Sequence, residues 1–139
     1  NGHMNVAYYV LIFDLFGAEI LMDRFHMGEE SAKTSKKSTM VVESHITYNE
    51  EVKEGDEVDV NLLYFDHDKK RLQYKLEMIH KEKKYVASTI ETLSLYVDLS
   101  LRKVAEFEEE KVKIMDQYIK ENSSKFIQEN LKFSGKLKK

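Results

Sequence analysis

The chain opens Asn1-Gly2-His3-Met4-Asn5-Val6-Ala7-Tyr8-Tyr9-Val10-Leu11-Ile12-Phe13, and the way this stretch folds decides how everything after it must pack. Gly2 permits a backbone conformation that other residues avoid. Asn5 is a good N-cap, with a side-chain oxygen placed to accept a free N–H of the next turn. From Val6 to about Phe25 only Asp14, Glu19, Asp23 and Arg24 break the apolar character. A helix that is hydrophobic nearly all round is buried by something large, so a sheet is expected to wrap around it. The start of that helix keeps unpaired N–H groups and the positive end of the helix dipole. Such an end stabilises a negative oxygen.

The remainder supplies the sheet. His26–Lys37 is polar, carries Gly28 and several lysines, and reads as an exposed loop. From Ser38 the period changes to two, with Met40, Val42, Ser44, Ile46 and Tyr48 on one face and Val41, Glu43, His45 and Thr47 on the other. A second strand sets Val58, Val60, Leu62 and Tyr64 inward. A third sets Leu72, Tyr74, Leu76, Met78 and His80 on one side, and Tyr85–Asp98 is a long strand rich in β-branched and aromatic residues. One buried helix followed by four antiparallel strands is an α+β arrangement with the sheet curling around the helix. After Arg102, Glu106–Glu121 reads as an amphipathic helix, and Ser123 or Ser124 is placed to cap a shorter one through Phe133.

Composition excludes several classes. The 139 residues make one domain, and the net charge of −3 does not point to a nucleic-acid binder. The absence of cysteine excludes disulfides, thiolate catalysis and cysteine-ligated zinc. The longest apolar run, Val6–Phe13, is far short of the roughly 20 residues that span a bilayer, and no signal-peptide pattern appears, so a cytoplasmic protein is expected. The five histidines show no metal-ligand spacing, and neither a Gly-rich phosphate loop nor a Ser-centred nucleophile elbow is present.

Several motifs stand in one order: Gly2-His3-Met4-Asn5 before the helix, Glu43-Ser44-His45-Ile46-Thr47-Tyr48 with Glu51-Val52 and Gly55-Asp56, and Asp68-Lys69-Lys70-Arg71-Leu72. Met78-Ile79-His80, Ala87-Ser88-Thr89-Ile90-Glu91 and Val97-Asp98-Leu99 come after them, then the pair Arg102-Lys103. Together they resemble the hotdog-fold acyl-CoA thioesterases, most nearly the subgroup with betainyl-CoA and carnitine-linked thioesterases. The resemblance covers about residues 1–105. It implies a hotdog domain there, a C-terminal helical extension over 106–139, and a homodimer, with higher assembly left open. It also implies an acyl-CoA substrate with no separate cofactor, no metal, no nucleic acid and no membrane partner.

The resemblance assigns roles as well. The backbone N–H of Val6 polarises the thioester carbonyl, and His3 and Asn5 shape the turn beside it, although a plain N-cap explains Asn5 equally well. The family's acidic group is an Asp a few residues before Gly-His, and it and the first strand are expected upstream of Asn1. Glu43, His45, Thr89 and Glu91 are candidate substrate contacts, the last two because they interrupt an apolar face, where a carboxylate needs a partner or a task. Tyr8, Tyr9 and Phe13 are candidate aromatic walls for a cationic acyl group, against the plainer alternative that most of them are core. Lys70, Arg71, Arg102 and Lys103 are candidate partners for the phosphates of CoA, or ordinary solubilising charge. A non-catalytic acyl-binding or assembly module is the competing reading, motivated by the extension and the acid not in the sequence.

Overall fold

The computed structural model describes Gly2 and Met4–Lys139. The expected long helix forms in three continuous pieces, α1 (Val6–Phe13), a π-helical segment Asp14–Ala18, and α2 (Glu19–Arg24). Asn5 caps it as its sequence predicts, its Oδ1 accepting from the Ala7 N–H at 2.9 Å. Among the described residues no helix is long and apolar enough to cross a membrane.

The segment expected as a loop instead folds partly into α3 (Glu29–Ser35). Glu29 and Glu30 favour the positive end of that helix, the Lys33 ammonium meets Glu30 at 3.1 Å, and Lys36 closes it in the left-handed region at φ 59°. Four long strands come next: β1 (Lys37–Tyr48), β2 (Val58–His67), β3 (Arg71–His80) and β4 (Val86–Asp98). They form one antiparallel sheet in the order β1-β4-β3-β2. A short β5 (Lys103–Val104) pairs with the end of β4.

Residues opposite one another in register share a face. Ile46, Ile90, Leu76 and Leu62 make one inward row; Ser44, Thr92, Tyr74 and Phe65 make the next. The central helix lies on this side but buries only one face, Tyr9, Phe13, Leu21 and Met22. Tyr8, Leu11, Leu15, Phe16 and Ile20 are exposed, so the all-round burial expected from the apolar run is not met within one chain. Gly17 lets the helix come close, since a Cβ there would stand 2.6 Å from Leu76 Cδ1 and 3.1 Å from Val60 Cγ1. Phe25 packs at a tilt against Phe65 with centroids 4.7 Å apart, and Tyr9 meets Tyr48 edge-on at 5.2 Å. Burial of Phe13, Phe25, Leu72, Met78 and Tyr96 makes this the core.

Two bulges correct the simple alternation. The register slips between Val41 and Glu43, so Val41 rather than Met40 or Val42 shares its face with inward Ser94. It slips again between Leu62 and Tyr64, turning Phe65 in and Tyr64 out, where Tyr64 packs against Phe126.

The chain beyond Arg102 covers both sides of the sheet. α4 (Glu109–Asn122) buries Met115 in the same core and sets Tyr118 edge-on to Phe25 at 5.3 Å. A single 3-10 turn, Ser123–Lys125, takes the place of the expected second helix. The chain then crosses the β2 edge, where Ile127 N–H donates to Leu63 O at 2.8 Å, and runs over the outer sheet face. Its phenylalanines find partners there, Phe126 on Tyr64 and Phe133 buried, and this packing favours extension over another helical turn.

Candidate active site

The helix start is held by backbone pairing. Met4 N–H donates to Val52 O at 2.9 Å, and Glu54 N–H to Gly2 O at 3.1 Å. Tyr8 N–H returns to Asn5 O at 2.9 Å, while Asn5 takes up Ala7. That leaves the N–H of Val6, for which no acceptor occurs among the described residues. Val6 is one of the residues lining a cleft of about 370 Å³, with Met4, Tyr9, Tyr48, Asn49, Glu50 and Glu51.

This cleft combines an orphan N–H at a helix N-terminus with an aromatic wall and two carboxylates. Tyr85 joins its rim by donating from its hydroxyl to Glu51 O. Desolvation first, then the negative charge of Asp56 and Glu50, raises the Tyr85 phenol above its ordinary value. A neutral donor is thereby kept beside an acidic loop. Asn49, Glu50 and Glu51 were given no site role by the sequence, although Glu51-Val52 belongs to the family-like motifs, because an acidic turn after a strand resembles any solvated loop. Their position directly behind Tyr48, whose strand ends at the helix start, is the signal that could have found them.

The other candidates spread over three places. His3 lies outside the described residues. Tyr9 and Phe13 are core side chains, 6% and 1% exposed; Tyr9 nevertheless lines the cleft, whereas Tyr8 is 58% exposed. Glu43, His45, Thr89 and Glu91 all sit on the outer face, in rows with Leu93, Lys75 and Glu77, so the sheet separates them from the central helix. Thr89 and Thr47 share a hydrogen bond of 2.6 Å there. Glu91 is 1% exposed and accepts from Gln73 Nε2 at 2.9 Å, Lys132 N–H at 2.6 Å and Phe133 N–H at 2.8 Å. Its oxygens are taken up by these donors rather than turned toward the cleft.

The four candidate CoA cations gather at the far end of the sheet. Lys70 and Arg71 leave the β2–β3 turn, and Arg102 and Lys103 enter β5 beside it, joined through Tyr96 N–H donating to Lys70 O at 2.8 Å. Arg71 Nε is engaged by Asp68 at 2.8 Å; Lys70, Arg102 and Lys103 are exposed. From Ser88, opposite Tyr48, to Val97, opposite Val104, β4 spans roughly 30 Å at about 3.3 Å per residue. Within one chain, then, the helix start and the basic end stand far apart.

Comparison with known proteins matches residues 1–128 to the thioesterase-like superfamily. Betainyl-CoA thioesterase of Pseudomonas aeruginosa is 30% identical over 110 residues, which is 79% of this chain and 69% of that one. A Staphylococcus aureus protein solved in complex with CoA superposes with a TM-score of 0.77 at 23% identity, over 100% of this chain and 84% of that one. DHNA-CoA thioesterase from Staphylococcus aureus gives 0.77 at 15% identity, over 91% and 85%. The sheet wrapped around a central helix is the hotdog fold that these structures share.

Proposed function

For a chain that belongs to the thioesterase-like superfamily and hydrolyses acyl-CoA thioesters to free acid and CoA, we propose that the helix start is the reacting end. The observation that carries this is the Val6 N–H, left without an acceptor at the cleft. A thioester carbonyl set against it gains a donor aimed where negative charge develops. Water adds to the carbonyl carbon, the oxyanion rests on Val6 N–H and the helix dipole, and collapse breaks the C–S bond. The thiolate of CoA departs and takes up a proton. CoA enters as part of the substrate, so the reaction needs no further cofactor. The non-catalytic module reading is not favoured, given the family match over most of the chain.

The functional unit in this reading is a homodimer. β1 has no strand on its outer edge among the described residues, and Met40, Val41 and Val42 on it are 53%, 55% and 44% exposed. Tyr8, Leu11 and Leu15 of the helix add a further exposed apolar strip. A two-fold pairing of β1 edges runs the two sheets in opposite directions. It sets Arg102 and Lys103 of the partner subunit toward the cleft, where phosphates of a bound CoA would lie.

The acyl group is read as small and cationic, after the similarity to betainyl-CoA thioesterase, and the compartment as the cytoplasm. A thiol-release assay across short-chain, aromatic and betaine-like CoA thioesters tests the activity; no release from any of them overturns it. Light scattering of the wild type and of Val42→Glu tests the dimer. Monomeric wild type would contradict it.

A further inference from the structure

Contacts between residues far apart in sequence hold a segment that the family match leaves out. Past residue 128 the chain carries Lys132, Lys136, Lys138 and Lys139 and only one acidic residue, Glu129. Two buried carboxylates hold this tail through its backbone. Glu91 receives the N–H groups of Lys132 and Phe133. Asp68, its side chain 1% exposed, receives the Lys138 N–H at 2.7 Å together with Lys70 N–H, Arg71 N–H and Arg71 Nε. Burial alone would raise the Asp68 carboxyl, but these donors hold it below the usual carboxylate range. A backbone-to-carboxylate clamp fixes where the chain runs without using its lysine side chains, of which only Lys139 is paired, with Asp66, among the described residues.

The clamp has a consequence for charge. Asp68 belongs to the turn that bears Lys69 and Lys70, and Lys69 O accepts from Phe107 N–H at 2.9 Å, which draws the Arg102-Lys103 segment alongside. Lys138 is joined to that same turn. Lys69, Lys70, Arg102, Lys103, Lys136 and Lys138 are all exposed, and among the described residues none of them forms an ion pair. Other nearby cations are already engaged: Arg71 by Asp68, Lys37 by Glu108 and Lys139 by Asp66. The unpaired set makes a concentrated positive surface on a chain that is negative overall.

We propose that the tail, clamped by Glu91 and Asp68, adds Lys136 and Lys138 to this surface and that together they hold the phosphate-bearing end of CoA. This rests on the thioesterase reading above and extends its phosphate contacts to a segment outside the family match. Glu91 is a positioning residue in this scheme, acting through the tail without touching substrate.

The test compares an acyl-CoA with the matching acyl-pantetheine, which keeps the thioester and lacks the nucleotide. In the Lys136→Ala/Lys138→Ala double variant, KM for the CoA thioester should rise roughly 5- to 10-fold. Its kcat, and both constants for the acyl-pantetheine, should stay within about twofold, and the salt dependence of KM should flatten. Lys120→Ala, at an exposed position on α4, serves as the charge control. Glu91→Gln should give the same substrate-selective rise together with faster tryptic cleavage at Lys132. An unchanged KM in the double variant, or an equal rise for both substrates, overturns the proposal. If no thioester is hydrolysed at all, the thioesterase reading fails separately. Calorimetric titration with adenosine 3′,5′-bisphosphate then still decides the surface: weaker binding to the double variant supports it, and equal binding overturns it.

Discussion

Replacing Val6 by proline removes one hydrogen-bond donor from the cleft while leaving the helix that carries it. Val6 is the first helical residue, where proline is well tolerated because the N–H it lacks has no partner within the helix. Proline also restricts the residue before it to extended backbone, and Asn5 is already there at φ −66° and ψ 143°. The valine side chain is 58% exposed, so little burial is lost. Folding should therefore be nearly untouched, with a melting temperature within about 3 °C of wild type. The transition state loses its backbone donor, and oxyanion donors of this kind contribute about 10²–10³ in kcat, or about 2.7–4 kcal/mol. Because the ground-state carbonyl gains less from the same donor, KM should move by less than about threefold. Val6→Ala separates side chain from backbone, since it trims the valine and keeps the N–H. Stopped-assay thiol release gives kcat and KM, and circular dichroism confirms the fold. A folded Val6→Pro enzyme with kcat within threefold of Val6→Ala would refute the assignment, whatever else the cleft does.

Other substitutions test the frame around that cleft. Asn5→Ala deletes the cap bonded to Ala7 and should cost about 1 kcal/mol, or about 3 °C in melting temperature, while Asn5→Asp keeps the acceptor and the stability. Met115→Ala empties a fully buried site on α4; a loss of about 3 kcal/mol, some 10 °C, in a single transition would show that the extension and the sheet melt together. Glu108 contributes to stability toward acid. Burial would raise its carboxyl, but bonds from the Tyr96 hydroxyl, its own backbone N–H and Lys37, with the Lys111 charge, bring it down to about 2. A depressed folded pKa contributes stability above the unfolded value of 4.5 that is lost as pH falls toward about 2. Urea unfolding at pH 6 and pH 3 should therefore show a smaller acid loss for Glu108→Gln than for wild type; equal losses would contradict it.

The parts of the fold that were legible in the sequence are those whose cause is local. The cap at Asn5 depends on two neighbouring residues, and the central helix shows as an apolar run, although the sheet of this chain covers only the face that carries Tyr9, Phe13, Leu21 and Met22. The strands show by their period. The bulges do not, because the residues where the registers slip, Val42 and Leu63, are each preceded by another apolar residue and carry no turn signal. One undetected slip reversed the parity of the rest of β2, so Tyr64 read as inward when Phe65 is the residue that meets Phe25. The cleft was half legible for a related reason. Val6 is marked by the cap before it, but Glu50 and Glu51 reach the same place through the full length of β1, which periodicity places on a face and not at an end.

Glu91 shows where such reading stops. A carboxylate in a row of apolar residues signalled an unseen partner, and the energetic logic held: a buried charge needs donors. The natural inference from side chains alone was a cation, whether on substrate or protein. Two of the three donors are instead backbone N–H groups, Lys132 and Phe133, some forty positions along the chain. Every residue except proline carries that donor, so it leaves no mark in a sequence pattern. The anomaly was therefore visible and its solution was not. The same clamp also brings the unpaired lysines of the tail beside Lys69 and Lys70, a charge surface assembled from segments that no motif spacing connects.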